Sequence, residues 1–194
     1  MPLNVAQILT RSVGNGPGER FVIWVQGCAH GCPGCWNPEM LSFAPQNLRD
    51  PYQLVYEVLS TKDIEGVTFT GGEPFAQAKE LSLIAHEVRD AGLSVFVFTG
   101  YELDELIWDE AHELLSLTDV LVTGRYVQSL VTSEVPWRGS TNQQIIFLTD
   151  RYGSDDMPDS PIIEFHISDG GAMTVTGFPL SKLLFTEASL AKEG

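Results

Sequence analysis

The chain has 194 residues, of which 43% are hydrophobic and 19% are charged. These values suit one globular domain with a substantial apolar core, and they exclude a largely disordered chain. Eleven basic against 26 acidic residues leave a formal charge of −15, which repels phosphate backbones and argues against nucleic acid as a partner.

The sequence also shows no sign of a membrane segment. No apolar run reaches the roughly 18 residues that a membrane helix needs, and the first residues lack the apolar stretch of a secretory signal. We therefore expect a cytoplasmic protein with no membrane partner. In a reducing compartment, its three cysteines are available for metal or redox chemistry rather than for disulfides.

The first predicted strand is the apolar run FVIWVQG at 21–27, which follows a turn-rich loop, GNGPGER, at 14–20. All three cysteines come directly after it, within residues 28–35. Beyond them, helical patterns alternate with apolar runs of strand length. Helices are predicted at 51–60, 76–91 and 102–115, and strands at 66–72, 94–100, 119–124 and 144–150.

Strands that are apolar throughout and alternate with helices predict an α/β fold with a parallel sheet covered on both faces. The carboxyl ends of parallel strands share one edge of the sheet, where sites gather. We therefore expect the cysteines to lie near the Gly-Gly-Glu sequence at 71–73, which follows the second predicted strand.

The residue pattern of the sequence changes after Arg151. An acidic linker at 152–160 precedes two short apolar runs, 162–168 and 172–178, which are separated by Asp-Gly-Gly and predict a β-hairpin. A short helix is predicted from Leu180. We divide the chain into a core, 1–151, and an extension, 152–194, packed on the core.

The cysteines follow the pattern C-x3-C-x2-C among glycines and a proline that allow tight folding. Structural zinc takes four ligands, and His30 could complete a Cys3His site. A cubane iron–sulfur cluster normally takes four thiolates, so three would leave one iron open for a substrate or cofactor. The spacing favours the cluster over zinc, and three cysteines in one such loop fit core packing poorly.

The cysteine motif, followed by Trp36 after the first strand, resembles the signature of the radical S-adenosylmethionine superfamily. Within it, the chain is similar to the activating proteins of anaerobic ribonucleotide reductase. This similarity implies a partial (βα)-type barrel with a parallel sheet, here with a C-terminal β-hairpin extension. The similar segments are NGPGER (15–20), GCAHGCPGCWN (27–37), FTGGEP (69–74), FTGYELDEL (98–106), DVLVTGRYV (119–127) and PWRGSTNQ (136–143).

The resemblance implies a role for each matching residue. Cys28, Cys32 and Cys35 would hold a [4Fe-4S] cluster. Gly34 and Trp36 would lie beside the adenine of S-adenosylmethionine, although a tryptophan is also a common core residue. Its methionine and ribose parts would be received by Gly71, Gly72, Glu73 and Thr99. A plain helix start would also explain Gly-Gly-Glu-Pro, and a plain strand end would explain Thr99.

The implied activity is reductive cleavage of S-adenosylmethionine to generate a glycyl radical in a partner enzyme, first of all anaerobic ribonucleoside-triphosphate reductase. A one-electron donor such as flavodoxin or ferredoxin would supply the electron. Residues 15–20 would border the substrate opening. Arg138 would contact the cofactor or the partner, with an ordinary surface arginine as the alternative. Two other hypotheses are a radical enzyme that modifies another peptide or a small molecule, and a non-catalytic zinc-binding interaction module.

Overall fold

The structure is a computed structural model and describes residues 1–168, 170–171 and 173–178. Seven strands form one sheet in the order β3-β1-β2-β4-β5-β6-β7. Their bounds are β1 Leu3–Ser12, β2 Arg20–Val25, β3 Leu48–Arg49, β4 Gly66–Gly71, β5 Ser94–Phe98, β6 Val120–Thr123 and β7 Gln144–Phe147.

The four central strands, β2, β4, β5 and β6, run parallel as the sequence predicted. The flanks do not: β7 is antiparallel to β6, and β1 is antiparallel to both β2 and β3. An all-parallel sheet was therefore wrong at both sides. The residues of β7 are only partly buried, which suits an edge strand, and an apolar run does not reveal the direction of its strand.

The predicted barrel is not confirmed. Within the described residues the seven strands form an open row that ends at β3 and β7. The architecture is thus a mixed α/β fold with a mostly parallel central sheet. A separate antiparallel hairpin follows, made of β8 Ile163–Ile167 and β9 Met173–Gly177, as predicted for this segment.

Three helices pack on one face of the sheet: α1 Pro51–Ser60, α2 Ala78–Asp90 and α3 Asp109–Leu117. Asp50 caps α1 as predicted, since its carboxylate accepts a hydrogen bond from the Tyr52 N–H at 3.0 Å. The second and third helices begin later than predicted. Short 3₁₀ turns at Pro74–Gln77 and Leu103–Glu105 precede them. In the second turn the Glu102 N–H donates a hydrogen bond to the Glu105 carboxylate.

The two faces of the sheet are covered differently. On one face, side chains of all three helices bury the main apolar cluster, which includes Phe69, Leu81 and Leu114. The opposite face carries smaller clusters around Trp24 and Phe96, packed against loops and the end of the hairpin. Both faces are covered, as expected, but helices cover only one of them. The other face carries a cavity, which is described in the next section.

Two further expectations concern the ends of the chain and membranes. The helix predicted from Leu180 lies outside the described residues. Among the helices that the structure describes, none has the length and apolar character needed to cross a bilayer.

Candidate functional site

A cavity of about 530 Å³ lies on the face without helices, where β2, β4 and β5 end. Eight of the nine predicted site residues line it together: Cys28, Cys32, Cys35, Trp36, Gly71, Gly72, Glu73 and Thr99. The ninth, Gly34, is exposed and does not line it. Gly34 has φ +72°, a left-handed conformation that favours glycine, so its glycine already has a local explanation.

Backbone hydrogen bonds hold the start of the loop that carries the cysteines. The Gly27 N–H donates to the Met40 carbonyl at 2.9 Å, and the Cys28 N–H donates to the Leu41 carbonyl at 3.0 Å. The Glu73 N–H donates to the Gly27 carbonyl at 2.8 Å. These bonds fix the start of the loop against the end of β4, so that the thiols face the Gly-Gly-Glu segment across one cavity.

All three cysteines are free thiols and partly buried. Burial raises the pKa of the Cys28 and Cys35 thiols above the ordinary value, so both are protonated at neutral pH in the metal-free protein. Because metal ligands are thiolates, metal binding here would release protons.

Three thiols without a fourth fit a cluster with one open iron, because a closed zinc site needs four ligands. In this structure His30 Nε2 lies 3.1 Å from Glu73 Oε2. A zinc ion with bonds of about 2.3 Å holds its sulfur ligands within about 4 Å of one another, whereas a cubane spreads its ligands over separate irons.

Glu73 is the most heavily bonded side chain of the cavity and is only 1% exposed. Its Oε1 accepts from the Phe75 N–H at 2.9 Å and from the Thr99 hydroxyl at 2.8 Å. Its Oε2 accepts from the Gly100 N–H at 2.8 Å and faces His30. A carboxylate offers about four lone-pair sites. In this structure all of them have a partner within the chain.

The glycines of this segment are required by close contacts between backbone segments. Gly71 has φ +102°, and a Cβ there would come within 2.7 Å of the Val25 nitrogen. A Cβ on Gly72 would come within 2.4 Å of the Gly27 carbonyl oxygen. The two glycines therefore let the end of β4 press against β2 and the start of the cysteine loop, whatever their role towards a cofactor.

His30 ties the cysteine loop to the ends of two strands. Its ring packs edge-to-face on Tyr101, with the centroids 4.5 Å apart. A Cβ on Gly100 would come within 2.5 Å of the His30 ring. Sequence reasoning identified His30 only as a possible zinc ligand, because its contact with Glu73, 43 residues away, leaves no local pattern.

Trp36 is partly exposed and lines the cavity rather than the core. Its ring lies 5.7 Å from that of Tyr126 and 5.9 Å from that of Phe178. Phe178 in turn lies 5.8 Å from Phe98. Sequence reasoning missed these three neighbours, although Tyr126 and Phe98 stand within segments that carried the resemblance. Flat rings around an open space are suited to receiving a heteroaromatic base.

The structure also shows where the residues expected near the opening lie. Arg20 is fully buried, and its guanidinium donates five hydrogen bonds, to Thr68, Pro17, Val67 and both the hydroxyl and the carbonyl of Ser94. Burial lowers its pKa to about 10, which still leaves it charged at neutral pH. Of the segment 15–20, Asn15 lines the cavity. Arg138 does not line it, and donates to the Gln143 carbonyl at 2.9 Å.

Comparison with known proteins identifies the family of the chain. Residues 14–146 match the model of a family described as the 4Fe-4S single cluster domain. The anaerobic ribonucleoside-triphosphate reductase-activating protein of Escherichia coli K12 is 32% identical over 151 residues, which span 74% of this chain and 97% of that protein. The protein of the same name from Haemophilus influenzae is 33% identical over 74% and 97% of the two chains.

A viral protein is similar to the chain to the same degree. The protein of that name from Enterobacteria phage T4 is 33% identical over 70% of this chain and 88% of its own. Among solved structures, the crystal structure of QueE from Escherichia coli matches 51% of each chain at 19% identity, with a TM-score of 0.38, which is too low to indicate a shared fold.

Proposed function

Because the chain belongs to the family of anaerobic ribonucleoside-triphosphate reductase-activating proteins, we propose that it cleaves S-adenosylmethionine reductively and generates a glycyl radical in such a reductase. The observation that carries this proposal is that three free cysteines, with no fourth in the chain, share one cavity with Glu73 and Trp36. The reaction would take place in the cytoplasm, where thiols stay reduced.

Each role in the proposed reaction can be assigned to particular residues. Cys28, Cys32 and Cys35 would hold the [4Fe-4S] cluster. When bound and reduced, the cluster would supply one electron for the reductive cleavage of S-adenosylmethionine. The protein's contribution is to bind and orient the cofactor and to keep water away from it. A one-electron donor, flavodoxin or ferredoxin by chemical type, would restore the electron.

Trp36 and its aromatic neighbours would receive the adenine, because they form the flat, partly exposed wall of the cavity. The backbone at Gly71 and Gly72 and the carboxylate of Glu73 would receive the methionine ammonium. Since Glu73 already has four partners, an arriving ammonium would have to replace one of them. Two of the four are backbone N–H groups, of Phe75 and Gly100, and these cannot leave.

Of the two side-chain partners, the Thr99 hydroxyl and His30, we expect His30 to be the one that is exchanged. It belongs to the cysteine loop rather than to the strand ends, and its contact with Glu73, at 3.1 Å, is the longest of the four. We therefore expect the His30 side chain to give way when the ammonium binds. In this arrangement the loop that would hold the cluster is coupled directly to the carboxylate that would hold the cofactor.

The test begins with the reduced, anaerobically reconstituted protein and S-adenosylmethionine, and follows methionine and 5′-deoxyadenosine by chromatography. Adding the anaerobic ribonucleoside-triphosphate reductase of the same organism should give a glycyl radical in electron paramagnetic resonance. Cleavage without a radical in that reductase would point to another peptide or a small molecule as the substrate. A colourless protein with one zinc per chain would refute the enzymatic proposal.

A further inference from the structure

The C-terminal hairpin has one polar and one apolar face. The pairing of β8 with β9 places Phe165 opposite Val175 and Ile167 opposite Met173. Because side chains alternate along a strand, these four share one face, and the polar residues between them share the other. The polar set consists of Glu164, His166, Thr174 and Thr176.

The polar face is fastened to the core. Glu164 accepts hydrogen bonds from the N–H groups of Val13 and Gly14 at 3.0 and 2.9 Å, and from the Ser12 hydroxyl. Asn15 donates to the Thr176 hydroxyl at 2.9 Å. A Cβ on Gly14 would come within 3.0 Å of the Glu164 carboxylate, so the contact is close. These bonds hold the hairpin in one place beside the cavity.

The apolar face is left open next to the cysteines. Phe165 is 57% exposed, Met173 58% and Val175 41%, and all three line the same cavity as the thiols. Within the described residues the hairpin forms a sheet of two strands only. A lone two-stranded sheet with an open apolar face is marginal in water and offers edges for another extended segment.

The hairpin also lies outside the part of the chain that defines the family. The family model ends at residue 146, whereas β8 begins at Ile163. The Escherichia coli relative is matched over 97% of its own length by only 74% of this chain. The shared chemistry therefore does not require the hairpin, which points to a task specific to this chain, such as the choice of partner.

We propose that the apolar face of the hairpin is a docking surface for the glycine-bearing segment of the partner enzyme, bound as an extended stretch with apolar side chains. This inference rests on the proposed function, which requires a protein segment to reach the cavity. A segment that enters beside the hairpin passes over Phe165, Met173 and Val175 before it reaches the cysteines. Apolar side chains on that segment would bury this face, and its backbone would pair with a free strand edge.

The test compares the full-length variant Ile167→Ser with the wild type after reconstitution, because Ile167 is 73% exposed on the same face and does not line the cavity. Two rates are measured: cleavage of S-adenosylmethionine with a chemical reductant and no partner, and formation of the glycyl radical at increasing concentrations of the same organism's anaerobic reductase. We expect unchanged cleavage and an apparent KM for the reductase that rises at least about tenfold. Tyr56→Ser is the matched control, because Tyr56 is 74% exposed on α1, away from the cavity.

The other results overturn the proposal. Equal losses in both rates would assign the hairpin to the cofactor pocket, and no change in either would show that its apolar face contacts nothing relevant. If Ile167→Ser raised hydrogen exchange in residues 179–194, the chain's own terminus would be the occupant. If it dissociated a dimer in sedimentation, a second copy would be. Failure of the wild type to cleave S-adenosylmethionine would instead contradict the proposed function.

Discussion

Replacing Glu73 tests the hydrogen-bond network that organises the cavity. Glu73→Ala removes the acceptor of the Phe75 and Gly100 N–H groups, of the Thr99 hydroxyl and of His30. The two side-chain donors can turn to water or to each other, but the two backbone groups cannot. A buried donor left without a partner costs about 1–3 kcal/mol. Two of them give about 4 kcal/mol at the middle of that range.

For a chain of this size, about 1 kcal/mol shifts Tm by about 2–4 °C. We therefore expect Glu73→Ala to lower the Tm of the metal-free protein by about 8–16 °C, as measured by circular dichroism. Glu73→Gln keeps an acceptor for Phe75 but turns an amide donor towards another donor, so about half that loss is expected. An alanine variant that melts within about 2 °C of the wild type would refute the network.

The same network changes how the cofactor role of Glu73 is tested. Because the alanine variant would lose stability as well as a ligand, the glutamine variant is the better probe. It should assemble the same iron content and bind S-adenosylmethionine more weakly in isothermal titration. Unchanged affinity would remove Glu73 from the cofactor site while leaving its structural role intact.

Three further predictions follow from the described contacts. Alanine at any one of Cys28, Cys32 or Cys35 should abolish the absorption near 400 nm and lower the iron content from about four per chain; a variant with full iron would exclude that cysteine as a ligand. Arg20→Lys should lower Tm by about 4–8 °C, because three donors replace five and about 2 kcal/mol is lost; an unchanged Tm would contradict the described bonds. Hydrogen bonding to Arg125 lowers the pKa of Glu105, so its stabilising effect is present above the ordinary carboxyl pKa and lost as pH falls through the lowered one. The Tm difference between wild type and Glu105→Gln should therefore close between pH 7 and about pH 3, and a difference that stays constant would contradict it.

The central strands could be predicted because they are buried on both faces and are thus apolar throughout, as in VTFTG of β4 and SVFVF of β5. β1 was missed because polar residues such as Asn4 and Gln7 interrupt its apolar pattern. The antiparallel direction of β7 was missed because a run of side chains carries no direction. In both cases, what could not be predicted is how the strand pairs with its neighbour, because the local sequence does not determine this pairing.

For the site, the sequence predicted which segments come together but not the contacts between distant side chains. The rule that parallel strands present their carboxyl ends at one edge placed the cysteines near Glu73, and both line one cavity. What the rule could not give are contacts between distant segments. Glu164 reaches Gly14 across 150 residues, and His30 reaches Glu73 across 43. Each depends on a loop conformation rather than on a pattern of residue types.

These distant contacts explain why the cavity lies on the face without helices. Helices on that side would cover the strand ends with regular apolar surface, as α2 does on the opposite face. Loops and a hairpin instead leave an open space bordered by thiols, a buried carboxylate and aromatic rings. If the cysteine loop released Glu73 from His30, Glu73 would keep its hydrogen bonds from the backbone N–H groups of Phe75 and Gly100. The segments that follow β4 and β5 thus hold the carboxylate, and the loop that would carry the cluster supplies its exchangeable partner.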